Sequence, residues 1–579
     1  MIPFQKNLRL FALFRATVTL NLLFALLFRF AEVNSRDLVS VLVVVNIQIL
    51  IGGLIWVGLG TRPSIDISEF IGMGGALGFG LSLLSSQVLR TVMPFSISWL
   101  VFPILLLSAL QLFNGYSIGY SLSKVKVSNE LFLLFSGTLI ALSTSWYWLI
   151  SCAVAVFLWV VLHYWRASNR ESGASNSKRQ SVLLVAAGLV SIRAVSDLSS
   201  LAEIRHQLWW NLRFGVLQDP DLIFAESMVN STKNFGNQGN IFFSGLKFYY
   251  HWFAFAWEAT LGSISDLRPF VVTAIIAPAV TLLVVLCLVF AVAKKISGNV
   301  FAAPFAMFAV AMMCAGQITL FRILHPYSFS FNFGLIFVYS LVVLILTSDE
   351  IRRVNIVTAT FLISLCLIGS KVSYGPILVV GLAASFVWSL FVRQNRQISL
   401  LFLISSALAV AVSFTVIYKI GSGSGSDYRI SFGDILRQKA NLGNGVSFAI
   451  VFVTFIAVFA HLMAPTFGLV FLKDIFHNEK RLGILFCIAG GLSGIAFGFL
   501  LSDPSETGAY FIQGGLALLV PVSVVASFAV FKDVKIINRR TQYFLITGFV
   551  VCLIGAWYWP IFYDRVWVGD DHYLLTDLR

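Results

Sequence analysis

An all-α polytopic membrane fold is predicted by three features of the chain. Of its 579 residues, 58% are hydrophobic and 11% charged, against roughly 45–50% and 25% in soluble domains, so water is not the main solvent of this sequence. Apolar runs of about 17 to 27 residues recur from end to end, each close to the roughly 20 residues that cross a hydrocarbon core. Lys and Arg gather in the short loops at 1–10, 61–68, 121–130, 166–180, 294–298, 349–355, 392–397, 473–481 and 532–540. Those loops hold about 22 Lys/Arg in about 79 residues, the bias expected of cytoplasmic loops.

About seventeen membrane helices follow. They are expected near 8–30, 38–60, 69–88, 97–120, 131–146, 148–165, 181–198, 267–293, 299–321, 328–347, 354–370, 376–391, 398–418, 446–472, 482–501, 512–531 and 543–561. The first, preceded by Lys6 and Arg9, shows no small-residue cleavage site and reads as an uncleaved helix. Alternation then places the N-terminus inside and the C-terminus outside. The net charge of +14 is accounted for by topology and calls for no nucleic-acid partner. Cys152, Cys287, Cys314, Cys366, Cys487 and Cys552 all fall in apolar runs without a CxxC pair, which supports neither a disulfide frame nor a zinc site.

Parity leaves 199–266 as a large outer loop, because a crossing at 241–264 would put Lys294 and Lys295 on the wrong face. Residues 219–235 read as a first interfacial helix, capped by Asp219 and opened by Pro220. The stretch from Ile241 to Ile264, rich in Phe, Tyr and Trp, reads as a second, either anchored at headgroup level or packed against the bundle. Residues 419–445, with a Gly/Ser tether at 421–426, and the tail from Phe562 are further outer pieces.

The polar residues of that loop form the densest chemical cluster in the chain: Asp219, Asp221 and Glu226, then Tyr250 and His251 before Trp252. Asp221 reads as a base or as a first-turn carboxylate favoured by the helix dipole, and Asp219 mainly as a cap. Glu226 reads as a substrate contact or a solvated face. His251 suits an acceptor or a phosphate, with Tyr250 and Trp252 offering surfaces for a sugar ring or a membrane-interface belt. Arg322 and His325 near one outer helix end, and Lys371 between two apolar runs, suit an anionic headgroup or snorkel towards one. Arg429 and Arg437 are weaker candidates, and Asp503 and Glu506 beside Tyr510 read as an acceptor contact or a polar turn.

Two outer interfacial helices, the first acidic and the second carrying Tyr-His-Trp, resemble the first outer loop of the GT-C superfamily of glycosyltransferases. The segments Asp221-Leu-Ile-Phe224 and Gly245-Leu-Lys-Phe-Tyr-Tyr-His-Trp-Phe253 resemble those of large multipass bacterial members. The resemblance implies a GT-C-like module over 181–579, with six additional N-terminal helices over 1–180, and Asp221 as catalytic base. It implies substrate contacts at Asp219, Glu226, Tyr250, His251, Arg322, His325 and Lys371. Ala225 stands where the family often has His, so a divalent metal is not supported, and no cofactor is specified. The implied reaction is hexosyl or pentosyl transfer from a polyprenyl-phosphate lipid donor to a cell-envelope glycan or glycolipid acceptor on the outer face of the cell membrane. Such chemistry needs a base and a cationic pocket but no nucleotide, consistent with the lack of a dinucleotide or P-loop fingerprint. The alternatives are a transporter or flippase of lipid-linked substrates, or a lipid-linked oligosaccharide polymerase or ligase.

Overall fold

A computed structural model of the chain describes residues 2–30, 33–60, 64–114, 122–126, 130–142, 220–236, 251–297, 302–313, 328–418, 429–430, 464–476, 480–502 and 508–532. The helices are α1 (Ile2–Phe30), α2 (Ser35–Leu59), α3 (Ile67–Leu89), α4 (Phe95–Asn114), α5 (Glu130–Leu142), α6 (Pro220–Phe235) and α7 (Phe253–Ser265). They continue as α8 (Pro269–Ser297), α9 (Ala302–Met312), α10 (Phe329–Leu346), α11 (Arg353–Ser370) and α12 (Tyr374–Val392). The last three are α13 (Arg396–Ile417), α14 (Arg481–Leu500) and α15 (Gly508–Lys532). Two-residue strands β1 (Ile65–Asp66) and β2 (Val125–Lys126) pair in parallel, and β3 (Arg429–Ile430) pairs with β4 (Leu501–Ser502) in antiparallel fashion.

The chain is an all-α polytopic membrane protein. Among the described residues eleven helices, α1 to α4, α8 and α10 to α15, are long and apolar enough to cross a membrane. Their bounds follow the apolar runs closely, as at Arg353–Ser370 and Arg481–Leu500. Expected helices near 148–165, 181–198 and 543–561 lie outside the described residues. One expectation differs locally: 464–474, the end of an expected span at 446–472, is a 3-10 helix with a kink at Phe471. Pro465 opens it, and Gly468 lies so close to the Ser523 carbonyl of α15 that any side chain there would clash.

Buried throughout their apolar spans, α8 and α10 form the axis of the bundle, while α1, α4 and α13 keep wide apolar faces exposed. Those faces, with Phe14, Leu22, Leu105, Leu112, Ile404 and Val416 outward, suit contact with lipid tails. Small residues set the closest packing: Gly74 and Gly78 of α3 meet the α2 carbonyls of Ile49 and Gln48, a small-xxx-small contact. Within α8, Val272–Ile276 forms a π-turn, with the Ala277 N–H bonded to the Val272 carbonyl five residues back. Pro278 explains it, since its ring has no N–H to give and crowds the carbonyl four residues before it.

At one end of the bundle the charges are paired. Lys294 Nζ lies 2.7 Å from Glu130 and 3.1 Å from Asp66, and Lys295 Nζ lies 2.7 Å from Glu69. Trp56 Nε1 donates to Glu69 at 2.9 Å. These bonds clamp α2, α3 and α5, all from the N-terminal part of the chain, to α8, and the same helices share one apolar core with the later ones.

The loop helices take two different positions. Amphipathic α6 buries Leu222, Ala225, Met228 and Val229 and exposes Asn230 and Phe235. Its C-terminus closes on Gly236, whose φ of +86° favours glycine, and Arg90 Nη1 donates to the Thr232 carbonyl at 3.0 Å. The second helix, α7, does not lie on the bundle surface: it is enclosed by α2, α3, α4, α6, α8, α10 and α11. Its Trp257 is fully buried, stacks on Phe333 with centroids 5.2 Å apart, and donates from Nε1 to Gln48 Oε1 at 3.2 Å. The aromatic content of this segment is thus spent on packing inside the protein.

The clamp predicts a measurable asymmetry. Lys295→Met leaves the buried Glu69 without its ammonium partner, and removing one member of such a pair costs about 3–5 kcal/mol. The thermal midpoint in detergent is expected to fall in Lys295→Met and to recover most of the loss in Lys295→Met/Glu69→Gln.

Candidate functional site

Chain direction puts the other end of the bundle where α3, α11 and α14 finish and α10, α12 and α15 begin. There, two residues far apart in sequence meet. His251, just before α7, and Lys371, just after α11, place Nε2 and Nζ 3.3 Å apart, with exposures of 8% and 6%.

Local structure explains both positions. The α11 helix stops at Ser370 because Lys371 turns extended (φ −158°, ψ 119°), with its N–H still bonded to the Leu367 carbonyl. The following turn carries Tyr374 N–H to the Lys371 carbonyl and starts α12. His251 is fixed from its C-terminal side, since Trp252 and Phe253 lead directly into the enclosed α7 and Phe253 packs over Gly369.

Lys371 Nζ also lies 3.6 Å from the ring centroid of Tyr510, at the start of α15. Tyr510 neighbours Phe331 of α10, and Phe331 stacks on Tyr374, whose hydroxyl donates to the Phe331 carbonyl at 3.1 Å. An ammonium over an aromatic face is stabilised by about 2 kcal/mol when desolvated. This contact offsets part of the cost of holding a lysine in so buried a place.

The electrostatics set the histidine's state. Burial and the neighbouring Lys371 ammonium both hold the His251 imidazole well below its ordinary range, so it is neutral and Nε2 accepts from Lys371. A nitrogen that faces an ammonium is not arranged as a metal ligand. Glu226 of α6 is half-buried, and burial raises its carboxyl while the Phe270 N–H at the start of α8 lowers it in part. It is therefore bonded to protein, not a purely solvated face.

Other expected site residues are distributed as follows. Asp221 lies in the first turn of α6, one residue before the buried Leu222, and its side chain is outside the described set. Asp219, Tyr250, Arg322, His325, Asp503 and Glu506 lie outside the described residues. The structure thus brings His251 and Lys371 together, adds Tyr510 to them, and holds Glu226 through α6 and α8. Arg429 lies in β3, paired to the end of α14 through Ser502.

Sequence reasoning missed Glu258, which is 2% exposed in α7 and accepts from the Thr273 hydroxyl at 2.9 Å. The signal was present: it is a lone acid in the apolar run Phe253-Ala-Phe-Ala-Trp-Glu-Ala-Thr-Leu261. No family model, curated protein or solved structure matches the chain.

His251 gives this end a pH dependence of defined sign. Its folded-state pKa is lowered, so its contribution to stability is complete above the unfolded value of about 6.5 and is lost as pH falls below it. The thermal midpoint of the wild type is expected to drop on acidification from about pH 7.5 to about pH 5.5, and His251→Gln to flatten that drop.

Proposed function

We propose that the chain is an integral-membrane glycosyltransferase of GT-C type. It moves a sugar from a polyprenyl-phosphate carrier to a cell-envelope glycan or lipid acceptor on the extracytoplasmic face. The observation that carries this reading is the convergence of His251 and Lys371 at the bundle end opposite the Lys294 and Lys295 clamp. By the positive-inside bias the clamp end is cytoplasmic, so the His251 end faces out, with the N-terminus inside and the C-terminus outside.

In this reading the residues divide the work. Asp221, in the first turn of α6, takes the proton from the acceptor hydroxyl as it attacks the anomeric carbon. The bond from that carbon to the lipid phosphate oxygen breaks, and the phosphate leaves as an anion. Lys371 supplies positive charge to that anion, held in place by the Tyr510 ring and His251. Neutral His251 accepts from the lysine and so aims the ammonium. Enclosure of α7 keeps this lead-in rigid, which limits the reorganisation needed as charge develops.

Asp221→Asn tests the assignment of the base. The expected result is a loss of about 10²–10⁴-fold in transfer of radiolabelled sugar from polyprenyl phosphate in proteoliposomes, with unchanged expression and thermal midpoint. Full activity in that variant removes Asp221 from the role.

A further inference from the structure

One buried carboxyl has no task in the proposed transfer, and it sits against the π-turn of α8. Glu258 is 2% exposed, with Trp257 and Ala259 beside it both fully buried. Its Oε2 accepts from Thr273, which belongs to the π-turn Val272–Ile276 of α8. Among the described residues no Lys, Arg or His forms an ion pair with it.

The charged and titratable groups of the surrounding elements are placed elsewhere. In α2, Arg36 and Asp37 sit at the start of the helix, whereas α7 is met by Gln48, about three turns further on. In α3, Glu69 is bound to Lys295, and Arg90, directly after the helix, is bound to the Thr232 carbonyl. Residues Phe95–Asn114 of α4 hold no charged side chain. From α6, Glu226 takes the Phe270 N–H, Lys233 is in the last turn, and Asp221 is in the first. Cys287, Lys294 and Lys295 lie well over two turns beyond Thr273 along α8. Tyr339 in α10 donates to the Ala517 carbonyl, while α11 carries Arg353 at its far end and the buried Cys366. His251 and Lys371 are engaged with each other before α7 begins.

A carboxylate taken into an apolar interior with one hydroxyl donor and no cation costs several kcal/mol, and the usual outcome is that it keeps its proton. A metal ion is a poor substitute, because one carboxyl and one hydroxyl fall short of the six or so oxygens that a hard cation takes. We propose that Glu258 is a proton-binding site, occupied at neutral pH, and that the bound proton is what allows α7 to sit enclosed against the π-turn of α8. As a neutral acid it is both donor and acceptor, so it satisfies Thr273 and presents no bare charge to the core. Because α7 begins two residues after His251, occupancy of this site is linked to the placement of the His251–Lys371 pair. The inference does not depend on the transferase reading.

The test is infrared difference spectroscopy on the full-length protein in lipid, comparing the wild type with Glu258→Gln at pH 7. The expected result is that the wild type shows a protonated carboxylic C=O band that Glu258→Gln lacks and Glu258→Asp shifts. Identical spectra for the wild type and Glu258→Gln overturn the proposal. Thermal midpoints give a second reading that needs no assignment of bands. An acid held protonated in the fold but ionised when unfolded destabilises progressively as pH rises above about 4.3. Glu258→Gln, which does not titrate, is therefore expected to gain on the wild type between about pH 5 and about pH 8. If Glu258→Gln fails to fold, Glu258→Asp and the wild type carry the test: a shifted band supports the site, and spectra without any such band at pH 7 overturn it.

Discussion

The cost of an uncompensated charge in an apolar interior organises this protein more than any single contact. The lysines of the clamp, Lys371 and Glu258 answer that cost in three different ways. Lys294 and Lys295 meet carboxylates of α3, α5 and the β1 strand. Lys371 meets an aromatic face and a neutral imidazole. Glu258 meets one hydroxyl among the described residues, and the remedy proposed for it is a proton. The first solution is electrostatic pairing and ties helices together; the second places an ammonium against an aromatic ring and an imidazole at the opposite end of the bundle.

The enclosed α7 connects these arrangements. It touches helices from both the N-terminal and the later parts of the chain, and the residue that starts its lead-in is His251. Of the helices expected over 1–180, α2 and α3 have a structural task here, since both wall α7 and are tied to α8 through Glu69, which meets Lys295 and Trp56.

How much of this was legible in the sequence depends on the range of the physics involved. Membrane spans are local, because apolar length alone determines them, and Arg353–Ser370 fell within a residue of its expected place. The start of α6 at Pro220 was also legible, from a residue pre-shaped for the first helical turn. The enclosure of α7 was not, because Phe, Trp and Ala in thirteen residues suit a headgroup belt and a protein core equally. The meeting of His251 with Lys371 spans 120 residues, and no local pattern announces it, although each was singled out as a polar residue in an apolar setting. The π-turn was readable in part from Pro278, but its partner Glu258 required the three-dimensional packing.

The central claim is that the His251 end of the bundle is where a lipid-linked sugar donor is held for attack. A cryo-electron microscopy structure of the full chain in nanodiscs with a polyprenyl-phosphate sugar addresses it most directly. The account predicts the phosphate against Lys371 and an Asp221 carboxylate within about 3.2 Å of an acceptor hydroxyl or the water standing in for it. A donor bound at the Lys294 and Lys295 end, or an Asp221 side chain directed away from the bound sugar, would contradict it.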